Sequence, residues 1–366
     1  MEIDAPFSDP GLARGLAERI AATAGEIDLP SVNLMEVCGT HTTAIFRAGI
    51  HTLLPKNVAM LSGPGCPVCV TPVSYVDAAV ELHREHGVLL TTFGDMVKVP
   101  GSHTTLEREK AAGAGLRTVY SALDALAVAE ANPGRQVVFL AVGFETTAPG
   151  VAATVVRAHD SGVRNFSILS AHKIVPPALC ALIDAPDTNV QGFLMPGHVS
   201  AIIGVEPYKP VAARGLPCVI AGFEPIDVLQ GILMLLTQLA ERRAEVEVQY
   251  KRCVRPEGNP TARALLDRVF ELEDSEWRGV GKIPGSGLRL APAFAEFDAL
   301  KRFPIRLPEP VEPKGCICGQ VLRGSRRPID CKLFGVRCTP AAPVGACMVS
   351  SEGTCAAYYK YYSVSS

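Results

Sequence analysis

Short apolar runs recur along the chain, each followed by a polar loop containing Gly or Pro and then a stretch of helical periodicity. They are Val32–Val37, Val58–Leu61, Val88–Thr91, Val137–Val142, Phe166–Leu169, Val190–Met195 and Cys218–Ala221. Several are continuous where a half-exposed strand would alternate, the pattern of strands covered by helices on both faces. Repeated strand–loop–helix units of this length predict mainly parallel sheets, so the fold class is α/β. Asn132-Pro133-Gly134 is the expected break between two parallel-sheet domains, 31–131 and 132–241. Asp9-Pro10 followed by Leu12, Leu16 and Ile20 predicts a capped amphipathic helix within residues 1–30, expected to pack on the C-terminal domain. Beyond Ala240 the pattern changes. Asn259-Pro260 opens another helix through Leu265, Leu266, Val269 and Phe270, and Pro304–Pro313 is Pro-rich and extended. Residues 242–366 are therefore expected to form a helical and loop-rich third domain.

Composition narrows the function classes. The 366 residues exceed one ordinary core, and 48% hydrophobic with 20% charged residues suits a packed globular chain. A net charge of −2 with no basic tract argues against nucleic acid as a partner. Val228–Ala240, interrupted by Gln230, Thr237 and Gln238, is too short for a membrane span. The opening residues, with Glu2 and Asp4, contain no apolar signal core, so the expected location is the cytoplasm.

Twelve cysteines change the picture more than composition does. In a reducing compartment, clustered thiols point to metal or redox chemistry before disulfides. Cys318, Cys331, Cys338 and Cys355 follow the spacing C-x12-C-x6-C-x16-C among Gly- and Pro-rich turns. Four thiolates in such a segment suit a cubane iron–sulfur cluster or a tetrahedral zinc site. Zinc usually takes two tight C-x2-C pairs, so the spread spacing favours iron–sulfur. Cys316 and Cys347 are additional, and either is able to replace one of the four.

Two further thiol motifs lie near the front. Cys38-Gly39-Thr40-His41 follows a predicted strand and opens a helix, where amide N–H groups favour thiolate over thiol. Cys38 is thus a candidate nucleophile or soft-metal ligand, with His41 as its proton acceptor or hydrogen-bond partner. Gly63 to Cys69 (GPGCPVC) places the C-x2-C pair Cys66 and Cys69 after another strand, suited to thiol–disulfide exchange or metal binding. Other loops carry polar residues just past a strand, at Asp95, Glu145, His172-Lys173 and His198. In parallel sheets such loops converge on a ligand crevice. Asp95 and Glu145 also suit helix capping, and the histidines also suit structural roles. Cys180, Cys218 and Cys253 stand apart and read as ordinary buried thiols.

Taken together, Cys38–His41 (CGTH), Gly63–Cys69, Thr92–Ser102 (TFGDMVKVPGS), Gly143–Thr147 (GFETT) and Gly345–Tyr359 (GACMVSSEGTCAAYY) closely resemble the HypD family of [NiFe]-hydrogenase maturation proteins. The resemblance runs across nearly the whole chain. It implies two α/β domains and a cluster-bearing domain, with a [4Fe-4S] cluster on Cys318, Cys331, Cys338 and Cys355. It also implies a HypC-type small chaperone as partner, a HypE-type cyanide donor, and an Fe(CN)2CO iron centre passed to the hydrogenase large subunit. By the same resemblance Cys38 helps hold that iron, and Cys66 and Cys69 are the redox-active pair. Two other functions remain open at this point: a cluster-dependent thiol–disulfide reductase, and a zinc-stabilised binding module.

Overall fold

The computed structural model describes residues 9–307 and 309–362; Glu2 and Asp4 lie outside the described residues. Strands form on all seven apolar runs: β1 (Val32–Glu36), β2 (Val58–Ser62), β3 (Leu89–Thr92), β5 (Val137–Gly143), β6 (Phe166–His172), β7 (Gly192–Pro196) and β8 (Cys218–Ala221). Four more strands were not marked by apolar runs: β4 (Leu116–Thr118), β9 (Val246–Val248), β10 (Phe270–Trp277) and β11 (Gly281–Leu290). Two parallel sheets result, one in the order β2-β1-β7-β8-β9 and one in the order β4-β3-β5-β6. Every residue of β3, β5, β7 and β8 is buried, which is why these runs are continuously apolar. The class is α/β, as the pattern predicted.

The sheets do not follow the sequential division at 131/132. The chain leaves the first sheet after β2, builds the whole second sheet from β3 to β6, and returns to the first at β7. Strand β9 also carries the first sheet past residue 241. Local periodicity marks strands but is silent about which strand pairs with which, and a return to an earlier sheet leaves no compositional break. The N-terminal helix likewise packs elsewhere than expected. Helix Pro10–Gly25, capped by the Asp9 carboxylate, lies on helix Pro225–Ala240 of the first sheet's layer, where Ile20 and Ala24 join Leu229, Leu233 and Leu236. The long apolar helix Pro225–Ala240 is buried by this packing, and no helix among the described residues is long and apolar enough to cross a membrane.

Residues 242–362 contain more than helices and loops. β10 and β11 form an antiparallel hairpin that closes over the second sheet. Ser170 Oγ donates to Leu288 O at 2.7 Å, and Ile174 N to Ser286 O at 2.9 Å. Lys173, only 2% exposed, extends its ammonium into the hairpin to Ser275 Oγ and Glu276 O. The last stretch then runs back across the first sheet. Helix Thr354–Tyr361 packs on helix Gly39–Arg47, with the Phe46 and Tyr358 rings 4.5 Å apart. One end of the molecule is thus built from three distant parts of the chain.

Candidate functional site

Each sheet has a point where successive connections depart in opposite directions. In the first sheet β1 leads left to β2 and β7 leads right to β8; in the second, β3 leads to β4 and β5 to β6. A crevice opens beyond the carboxyl ends of the strands at such a point. The loops there begin with Cys38 after β1 and His198 after β7, and with Asp95 after β3 and Glu145 after β5.

Cys38 is the N-cap of helix Gly39–Arg47, in extended conformation at φ −150°. Its own N–H donates to Glu36 Oε2 at 3.0 Å, and Thr42 Oγ1 donates to Glu36 Oε1. Glu36 is buried, and burial pushes its carboxyl up to about 8 against the bonds from Thr42 and Cys38. The Cys38 side chain accepts no capping hydrogen bond, and the nearby helix-terminal amides of His41 and Thr40, which favour the thiolate as the motif predicted, do not win. Burial, with help from Glu352, pushes the thiol up to about 12. Burial thus opposes the thiolate that the helix-terminal amides by themselves favour.

The CGTH loop and the GPGCPVC loop lie directly on each other. Gly39 N donates to Gly65 O at 3.0 Å, and Gly63 N to Glu36 O at 2.8 Å. A Cβ on Gly65 would overlap the backbone of Val37 and Cys38, so glycine is required for this approach. Cys66 then caps the next short helix, its sulfur accepting from Cys69 N at 3.3 Å. Both thiols are buried, Cys66 at 3% and Cys69 at 0% exposed.

His41 is fully buried between the two strand ends. Its Nε2 donates to Gly222 O at 2.8 Å, which leaves Nδ1 as a lone-pair acceptor with no partner. Burial pulls the imidazole down to about 4, so it is neutral. Its ring stacks on Phe223 at 4.5 Å, and the exposed His198 stacks on the opposite side at 4.0 Å. Phe223 lies in Gly222-Phe223-Glu224, which repeats the Gly143-Phe144-Glu145 of the second sheet's loop.

Glu352 was missed as a site residue, although its segment was among the motifs noted. Thr40 Oγ1 donates to Glu352 Oε1 at 2.7 Å and Thr43 Oγ1 to Ser351 O at 3.1 Å. Nothing local to Glu352 advertises this, because its partners are some three hundred residues away. Asp95 plays an anchoring part: Ser350 Oγ donates to Asp95 Oδ2 at 2.7 Å, tying the same C-terminal turn to the second sheet. Glu145 is not gathered with the thiols; it sits in a separate cavity between the sheets.

The six C-terminal cysteines come together. Cys316, Cys318, Cys331, Cys338, Cys347 and Cys355 line one cavity whose other walls are mainly apolar, including Val321, Leu333 and Phe334. Among the described residues no group of three or more His, Cys, Asp or Glu side chains is placed to hold a single metal ion. Six thiols around one narrow, mainly apolar cavity, with no nitrogen or carboxylate side chain among its lining residues, form a donor set that would suit an iron–sulfur cluster. Cys347 is the link between this cavity and the front thiols. It lines the cavity with Cys318 and Cys355, and its short helix Ala346–Met348 packs on helix Pro67–Val70, which carries Cys69. Burial, together with Cys347 and Cys66, pushes the Cys69 thiol well up.

Glu145 yields a stability prediction. Burial raises its carboxyl to about 7 from an ordinary 4.5, so the folded chain holds this proton more tightly than the unfolded chain. Its contribution is full below about 4.5 and is lost as pH rises through about 7. Glu145→Gln, which keeps the bond from Val175 N without titrating, is expected to be more stable than wild type at pH 8, by up to about 3 kcal/mol. That advantage should vanish near pH 4.5 when chemical unfolding is compared at the two pH values.

A sequence profile of the HypD family, described as the Hydrogenase formation hypA family, matches residues 11–362. The hydrogenase maturation factor HypD of Azotobacter vinelandii is 50% identical over 363 residues, covering 97% of this chain and 95% of its own length. The proteins of the same name from Cupriavidus necator and Escherichia coli are 48% and 44% identical, covering 94% and 98% of this chain and 94% and 97% of their own. With both thiol motifs and the C-terminal array in place along that whole length, the chain belongs to the HypD family of hydrogenase maturation factors.

Proposed function

We propose that this maturation factor assembles the Fe(CN)2CO unit of a [NiFe]-hydrogenase together with a HypC-type small chaperone. On this reading it receives cyanide from a HypE-type donor and hands the unit to the hydrogenase large subunit. The observation that carries the proposal is the direct contact of the CGTH and GPGCPVC loops at a sheet switch point, joined by the bond from Gly39 N to Gly65 O. On this reading Cys38, which would hold the iron, stands beside Cys66 and Cys69, which would serve as the redox pair.

Low-spin ferrous iron with strong-field ligands suits a soft thiolate, which Cys38 provides once the metal displaces its proton. His41, held by Gly222 O, offers Nδ1 as a proton acceptor. Cys318, Cys331, Cys338 and Cys355 would hold a [4Fe-4S] cluster, which when bound supplies one-electron chemistry beside the thiols. Cys66 and Cys69 release two electrons and two protons on closing to a disulfide, and Cys347, on the helix packed against that of Cys69, lines the cluster cavity. These electrons serve to load cyanide and keep the iron ferrous. A cytoplasmic location accords with twelve free thiols.

The burial of Cys66 and Cys69 speaks against a general thiol–disulfide reductase, because a protein disulfide has no path to either sulfur. The test is anaerobic purification followed by metal analysis and maturation assays. The protein is expected to be brown, with iron and acid-labile sulfide in equal amounts, and Cys66→Ser is expected to abolish hydrogenase maturation. Stoichiometric zinc without sulfide would overturn the cluster, and full maturation by Cys66→Ser would overturn the thiol relay.

A further inference from the structure

Arg278 is a buried charge that the thiol site leaves unexplained. It follows β10, and its backbone N–H donates to O of Val70, the residue after Cys69, at 2.9 Å. The next residue, Gly279, lies on Gly319, the residue after Cys318; a Cβ on Gly279 would stand 2.4 Å from the Gly319 Cα. The β10–β11 turn is thus wedged between helix Pro67–Val70 and helix Cys318–Leu322. The side chain is turned inward, with Arg278 only 2% exposed. Nη2 donates to Pro100 O at 2.8 Å, but Nε and Nη1 are buried with no hydrogen-bond partner among the described residues. The nearby carboxylate is Glu312 Oε2, 3.6 Å from Nε and on a side chain that is itself more than half exposed.

Resting on the cluster proposed above, we propose that Arg278 is the counter-ion of that cluster and that its charge favours the reduced state. A buried guanidinium whose donors lack acceptors is costly unless an anion compensates it. One solvated carboxylate at 3.6 Å compensates little of that cost. A [4Fe-4S] core on four thiolates is doubly negative when oxidised and triply negative when reduced, so a fixed cation beside it stabilises the reduced form more. Arginine stays protonated in both states, so reduction adds one electron to the cluster, breaks no bond and moves no proton at Arg278. The charge also reaches the thiols of the cavity. Cys318 and burial push the Cys316 thiol up. Against a pull from Cys316, Cys347 and burial push the Cys318 thiol up to about 12, and the Arg278 charge opposes the rise at both.

The test is a redox titration of the anaerobically purified full-length protein, with dithionite as the electron source and the reduced cluster read by electron paramagnetic resonance. At the potential that half-reduces the wild-type cluster, Arg278→Gln is expected to lower the reduced-to-oxidised ratio about tenfold, or about 59 mV for one electron. Arg278→Lys, which keeps the charge, is expected to stay within about threefold of wild type. Both variants lose the shape of the guanidinium, so a difference between them reports the charge. Should Arg278→Gln retain no cluster while Arg278→Lys retains one near the wild-type potential, the charge is required and the proposal stands. An unchanged or raised ratio in Arg278→Gln overturns it, and so does an equal shift, or equal loss of the cluster, in both variants. Metal analysis comes first, because wild-type protein without iron and sulfide overturns the proposed cluster itself.

Discussion

Cys38→Ala is expected to eliminate the infrared bands of iron-bound cyanide and carbon monoxide from protein purified anaerobically with the proposed HypC-type partner, while iron and sulfide of the proposed cluster remain. Cys38 occupies the N-cap position of a helix at the switch point of the first sheet, and its loop is fixed from three directions. Glu36 holds its N–H, Gly65 O holds the next amide, and Glu352 holds Thr40. Alanine removes the sulfur and leaves these bonds in place, so the loop should persist without its ligand. The cluster cavity is lined by other cysteines and should be unaffected. Loss of the bands with retained cluster would identify Cys38 as the iron ligand. Bands of undiminished intensity would move the iron to another thiol and sink the proposed arrangement.

Gly65→Ala is expected to be nearly as damaging, although it touches no reactive atom. A Cβ there would overlap the amide nitrogen and Cα of Cys38, which are backbone atoms unable to turn aside. The two loops must separate, breaking the bond from Gly39 N and costing roughly 1–3 kcal/mol or more. Hydrogenase maturation in cells should fall to background while the purified protein keeps its iron and sulfide. Gly134→Ala is the control, since a Cβ there meets nothing within 4 Å. Maturation at wild-type level in Gly65→Ala would show that close contact between the CGTH and GPGCPVC loops is dispensable.

Much of the site was legible before any coordinates because its parts are local. CGTH after an apolar strand, GPGCPVC after another, the six cysteines between 316 and 355, and the loops at Asp95, Glu145 and His198 are each visible as stretches of neighbouring residues. What those loops do was less legible. Asp95 turned out to anchor Ser350, and Glu145 to occupy a different cavity from the thiols. Phe223 and Glu352 act through stacking and hydrogen bonds to residues far along the chain, and no short window contains both partners. The β10–β11 hairpin was missed because charged residues, Pro284 and three glycines interrupt its alternation.

The sequence by itself determined the α/β class, the seven core strands and the identity of the thiols, because periodicity, turn residues and cysteine spacing are properties of neighbouring positions. Tertiary structure alone decided that the chain leaves its first sheet and returns to it, and that the N-terminal helix packs on Pro225–Ala240. It also set burial against the thiolate that the CGTH motif favours at Cys38. Helix amides are a local effect visible in the motif, whereas desolvation depends on every element packed around the sulfur, and here the second outweighs the first. The packing of helix Ala346–Met348, which carries Cys347, on helix Pro67–Val70, which carries Cys69, belongs to the same class, since it joins two segments whose separation in sequence conceals their proximity in space.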